Sequence, residues 1–247
     1  GNNYHISNNW AFDNLISILN DTALSDIWVP PLLVYRHYFG DYKILDFLKL
    51  LDNKFSGDWI GRQTPTTRIE AMNNVMKRVE EYAKLEDKTK DEKLNLLFND
   101  NVFVFNSSFF LSDLDENSIY GRRFARYILR KVDFLLDAPL YSEKRSSYNE
   151  MTVEHILPQN PEENSQWNLD FTPDEKEEWT HKLGNLVLIS RRKNSGQGRL
   201  DFSLKKEKYF KSSIETFPNS LRVMQKPEWT ITELKDNHKQ LIDKIKQ

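Results

Sequence analysis

Residues 154–158 read EHILP, and farther along residues 183–194 read LGNLVLISRRKN. Together the two phrases carry a carboxylate (Glu154), an imidazole (His155) and two carboxamides (Asn185 and Asn194). These groups suit hydrolysis: an imidazole accepts a proton from water, and oxygen donors hold a hard divalent cation. A short apolar stretch beginning at Met151 leads into His155. Pro158 has no N–H to offer a ladder, so the strand is expected to stop just past the histidine and leave the imidazole at its exposed end. Strand alternation puts Glu154 on the face opposite His155, so the two share a site only where the strand ends and twists.

The second phrase is expected to open on a tight turn, with Gly184 supplying a positive φ. Asn185 then stands where its amide can reach across a loop and hold the facing strand end. Ser190 reads as the N-cap of a short helix bearing Arg191, Arg192, Lys193 and Asn194. Such a set could bind one cation and orient one water. From Lys182 to Lys211 there are nine basic residues against two acidic ones, in a chain whose net charge is -2. A phosphate backbone is the readiest partner for that imbalance, with Arg191, Arg192, Lys193, Arg199 and Lys205 as the candidate contacts. A strand-end histidine beside a glutamate is by itself most often structural; the ordered combination is what gives the signal its specificity. His181, also near this stretch, is expected to pack or to lie at the surface.

The elements that must position these residues follow from composition and periodicity. The chain has 247 residues, 38% hydrophobic and 13% aromatic, enough to build real cores. It has no cysteine, which excludes disulfides, thiolate zinc sites and a thiol nucleophile. No apolar run approaches the roughly 18 residues of a membrane span. The first half reads as successive amphipathic helices, one beginning at the Pro30–Pro31 pair and another at a capping box of Thr67 with Glu70. NVFVFNSSFF is compatible with a strand or a helix. GRRFARYILRKVDFLL has an apolar stripe, with Arg122, Arg123, Arg126, Arg130 and Lys131 largely off it and expected at the surface. Residues 138–150 turn polar, which places a boundary near Lys144: a helical region over 1–144 and a second domain over 145–247. A final helix is expected from the capping box of Thr230 and Glu233. The fold expected is mainly α (α+β), with a small antiparallel hairpin in the C-terminal half.

VEHILPQN, then HKLGNLVLISRRKNSGQGRLDFSLKKEKYF, then WTITEL resemble the C-terminal nuclease domain of GmrSD-type restriction and defence proteins. These form a branch of the His-Asn-His, or ββα-metal, endonucleases. The resemblance covers roughly residues 120–247 and joins an H-x-x-P element, an LGNL strand, an Asn in the basic turn and an F-x-x-K helix in order. It implies a ββα-metal finger, a hairpin plus a helix, embedded in helices. Carried over, it makes His155 the general base, Asn185 the residue bracing the loop, Glu154 the acidic metal ligand and Asn194 the third motif residue and a further ligand. It implies one Mg²⁺ or Mn²⁺, DNA as substrate and phosphodiester hydrolysis within a cytoplasmic restriction or anti-phage protein. The helical first half is similar, more loosely, to the segment linking a ParB-like nucleotide-dependent domain to the nuclease. A chain that opens on Gly and not on an initiator Met is expected to be a fragment lacking that domain. Two departures stand out: Glu154 replaces the usual Asp, and Arg199 stands where family members often have a further Asn. The alternatives are a non-cleaving ββα module that only binds DNA, and a helical half that is no more than a spacer.

Overall fold

A computed structural model describes residues 10–137, 151–190, 198–211 and 217–246. The chain forms two compact units, Gly1–Asp113 and Leu114–Gln247. The boundary near Lys144 falls outside the described residues.

The first unit is helical: α1 (Trp10–Thr22), α2 (Val29–Phe39), α3 (Ile44–Ile60), α4 (Pro65–Ala83), α5 (Lys90–Phe98) and the start of α6 (Ser107–Glu116). The proline pair occupies the first turn of α2, where a missing N–H costs nothing. Tyr35 of α2 stacks on Phe47 of α3 with ring centroids 4.1 Å apart. NVFVFNSSFF resolves into a 3₁₀ turn (Asn101–Phe103) and the opening of α6. The turn is held by the Asp100 carboxylate, which accepts from the Val102 N–H at 2.8 Å.

The cap of α4 differs from expectation. Thr64, not Thr67, is the N-cap, and its hydroxyl accepts from the Thr67 N–H. Pro65 decides this: it pushes the preceding residue into the extended region, which is N-cap geometry, and itself starts the helix. The buried stripe consequently runs Arg68, Met72, Val75 and Val79, while Ile69 faces outward.

The second unit comprises α7 (Ala125–Asp137), β1 (Met151–His155), α8 (Trp167–Asp170), α9 (Pro173–Trp179), β2 (Leu186–Ser190), α10 (Phe202–Lys211), α11 (Pro218–Met224) and α12 (Ile231–Ile245). β1 and β2 pair antiparallel, from Met151 opposite Ser190 to His155 opposite Leu186. The chain is thus mainly α with one small two-stranded sheet among the described residues. A lone two-stranded ribbon is marginal in water, so helices must cover it. α7 and α11 pack on β2, which is buried along its whole length. Trp167, Phe171, Phe202 and Trp229 join Val187 and Ile189 in the core behind the sheet. The Trp167 indole N–H donates to the Leu200 carbonyl at 3.0 Å, tying α8 to the approach of α10. The Thr230 and Glu233 capping box opens α12 as expected. On α7 the arginine face is only partly solvated: Arg122, Arg123 and Arg126 are exposed, but Arg130 is enclosed. Among the described residues no helix is long and apolar enough to cross a membrane.

Gly184 departs from its expected role. Among the described residues the glycines at positive φ are Gly40, Gly121 and Gly198; Gly184 is not one of them, so it serves no left-handed turn. It sits in a 3₁₀ turn (Leu183–Asn185) pressed against α12, and its N–H donates to His238 Nδ1 at 3.0 Å. A Cβ here would lie 2.5 Å from His238 Cβ and 2.8 Å from His238 Cα. The glycine is there for close approach. Gly184→Ala is expected to lower stability by at least about 1–3 kcal/mol through overpacking. Urea denaturation at neutral pH measures this, and an unchanged midpoint would contradict the packing argument.

Candidate active site

His155 is the last residue of β1. The strand stops as expected, but the imidazole is not left open to solvent: His155 is only 6% exposed. Its Nε2 lies 3.1 Å from His181 Nδ1, and its Nδ1 lies 3.3 Å from the Gln159 side-chain amide nitrogen. Tyr120 covers the pair, its ring centroid 4.3 Å from His155 and nearly parallel to His181 at 5.3 Å. Burial, and then the electrostatics of the neighbouring His181 and Lys205, push the His155 imidazole down to about 3, so it is neutral at ordinary pH.

Glu154 turns to the other side, as alternation requires. Its Oε1 accepts from Lys205 Nζ at 2.6 Å, and the same ammonium donates to the His155 carbonyl at 2.7 Å. Lys205, expected among the phosphate contacts, is completely enclosed, with its charge directed at β1. Three apolar-facing residues on α10, Phe202, Lys205 and Tyr209, are spaced to point inward, and the lysine stem travels with them. Burial pulls the Glu154 carboxyl up and the Lys205 ammonium down, each opposed by its partner.

Asn185 holds the other strand end. Its Oδ1 accepts from the Leu157 N–H at 2.8 Å, and its Nδ2 donates to the Leu157 and Thr180 carbonyls at 2.9 and 2.8 Å. The Asn185 carbonyl in turn accepts from the Ile156 N–H. The side chain has no solvent exposure, and its hydrogen bonds tie the Leu157 backbone behind the histidine to Thr180.

His155, His181, Gln159, Tyr120 and Asn185 are therefore brought together, with Glu154 and Lys205 behind the strand. Arg199 is exposed and lies 3.3 Å from Glu162. Arg191, Arg192, Lys193 and Asn194 lie outside the described residues. Much of the remaining basic stretch has local partners: Lys182 pairs with Glu178, Lys211 with Glu207, and Lys206 donates to the Lys226 carbonyl. Among the described residues no group of three or more His, Cys, Asp or Glu side chains is placed to hold a metal ion.

Sequence reasoning missed Lys205 as an internal cation and His181 as a site residue. The first carried a usable signal, because Lys205 falls on the apolar face set by Phe202 and Tyr209. The second carried none, since one histidine among five has no periodicity.

The C-terminal half also has a counterpart among known families. A model described as GmrSD restriction endonucleases, C-terminal domain, matches residues 105–244. The chain belongs to this family. No curated protein and no solved structure matches it. Within this GmrSD C-terminal domain the match runs from just before α6 to the end of α12 and so takes in β1, β2 and every residue of the site above.

Two stability predictions follow from this geometry. Removing either partner of the buried pair, by Glu154→Leu or Lys205→Met, is expected to cost about 3–5 kcal/mol, because an unpaired charge stays inside. The double variant is expected to cost clearly less than the sum, as a denaturation cycle would reveal; strict additivity would rule out the coupling. Burial is the chief cause that lowers both His155 and His238; on His238 the Asp115 carboxylate opposes it and Lys182 adds to it. Their folded-state values lie below the ordinary value of 6.5, so the unfolded chain binds more protons as pH falls through that value. Stability is thus complete above 6.5 and is lost on acidification, by roughly 1.4 kcal/mol for His155 at about pH 5.5. Urea midpoints at both pH values test the sign.

Proposed function

We propose that the chain is a DNA endonuclease module in which His155 is the general base for phosphodiester hydrolysis. The observation that carries this reading is the neutral imidazole at the end of β1, with Asn185 clamping the backbone that follows, in a chain of the GmrSD C-terminal family. His155 takes a proton from water at Nδ1. The water oxygen bonds to phosphorus, and the bond to the leaving ester oxygen breaks. A value of about 3 makes the closed-site imidazole a weak base. A phosphodiester anion entering beside the ring favours the imidazolium and restores basicity where it is needed.

Nuclease chemistry in this family points to a divalent cation, and Mg²⁺ or Mn²⁺ is part of the proposal. The described donors alone do not make a site for it: Glu154 gives Oε1 to Lys205, and Asn194, the other expected ligand, lies outside the described residues. Arg191, Arg192, Lys193 and Arg199 are proposed as phosphate contacts; Lys205 is not, since its ammonium is enclosed. Asn185 is proposed to act by positioning. The domain boundary near Lys144, a ParB-like nucleotide-dependent domain on the same protein, a cytoplasmic location and a role in restriction or anti-phage defence complete the proposal.

The second reading is a module that holds DNA without cutting it. It is favoured by the ion pair that occupies Glu154. Nicking of supercoiled plasmid with Mg²⁺ or Mn²⁺, against a chelator control, separates the two. His155→Ala is expected to lower the rate by about 10²-fold or more. Equal cutting by both proteins would remove His155 from the mechanism. No cutting by either, with salt-sensitive DNA binding intact, would establish the second reading.

A further inference from the structure

A neutral imidazole has one N–H and one bare nitrogen, and only the bare one accepts a proton. The surroundings of His155 dictate which is which. The Gln159 amide nitrogen, 3.3 Å from His155 Nδ1, faces that atom with a donor, which matches Nδ1 as the acceptor. The ring proton then sits on Nε2 and points at His181 Nδ1, 3.1 Å away.

We infer that His181 is a positioning residue for His155: its Nδ1 accepts the His155 Nε2 proton and fixes the tautomer whose Nδ1 is free to take a proton from water. The inference rests on the reading of His155 as the base. Three further observations support it. The backbone at His181 is anchored, since its carbonyl accepts from the Ile119 and Tyr120 N–H groups at 3.0 and 3.3 Å. Its ring lies nearly parallel to the Tyr120 ring, at an interplanar angle of 13°, which fixes the plane in which Nδ1 points. The other neighbour, Gln159, is exposed, so a water can displace its amide from His155 Nδ1 without opening the core. Once His155 has taken the proton, both its nitrogens donate. The bond to His181 becomes charge-assisted and is stronger in the protonated state than before. A contact that strengthens as charge develops accelerates the step, whereas a merely packed ring does not.

The test uses the full chain labelled with ¹⁵N, and compares wild type, His181→Ala and His181→Asn. In the asparagine variant Oδ1 stands close to the place of Nδ1 and keeps the acceptor. Long-range ¹H–¹⁵N spectra at neutral pH are expected to show the Nε2–H tautomer of His155 in wild type and His181→Asn, and a mixture in His181→Ala. Plasmid nicking is expected to fall about 10–100-fold in His181→Ala with DNA affinity unchanged. The asparagine variant is expected to recover most of the rate. An Nδ1–H tautomer in wild type, or wild-type cutting by His181→Ala, would overturn the inference. Should wild type fail to cut under any metal, the base assignment fails by itself, and the tautomer spectra still decide the role of His181. Should the alanine variant fail to fold, the wild-type and asparagine spectra and rates carry the decision.

Discussion

The arrangement of the second unit hangs on one buried ammonium. Lys205 reaches from α10 to β1 and there serves a side chain and a main chain at once, the Glu154 carboxylate and the His155 carbonyl. Enclosing two opposite charges is costly, and a well-packed apolar pair would stabilise the core as well or better. What the pair adds is direction. An apolar contact tolerates sliding, but a charged hydrogen bond of 2.6 Å does not, so β1 is fixed in its placement against α10 and the last residue of the strand is fixed with it. His155 is thus held from behind by Lys205, from below by the backbone that Asn185 clamps, and in front by His181 and Tyr120.

This view separates the polar residues near the histidine by task. Asn185 uses every donor and acceptor of its amide on main-chain groups and leaves nothing for a substrate. Glu154 has its Oε1 committed to the lysine. His155 and Gln159 are the groups whose hydrogen bonds can be exchanged for water without breaking the fold. The polar atoms around His155 hold its ring still.

Much of this was legible in the sequence, where local rules govern. The proline after His155 ended the strand, alternation sent Glu154 to the opposite face, and an amide beside the LGNL turn was the right group to bridge two strand ends. The mainly helical fold with a small hairpin follows from the same periodicities. Illegible features depend on partners distant in the chain. Lys205 meets Glu154 across 51 positions, so a count of charges near Arg191 assigned it to the surface. Gly184 looked like a turn residue because the reason for it, His238, comes from the last helix. At α4 two local signals competed, and the proline at the first helical position outranked the threonine three residues in.

The connection between the strands has a consequence for how the site comes into being. A two-residue hairpin zips up locally, but here all of residues 156–185, with α8 and α9, intervene between β1 and β2. Closing so long a loop has an entropic cost before any ladder bond compensates for it, and pairings of high sequence separation form slowly. The sheet therefore depends on the core around Trp167 and Phe171 to keep its two strands together. A chain emerging from synthesis has no assembled site until Lys205, well beyond the second strand, has been made and α10 has docked. An unfinished chain that ends before Lys205 therefore carries His155 without the ammonium that holds its carbonyl.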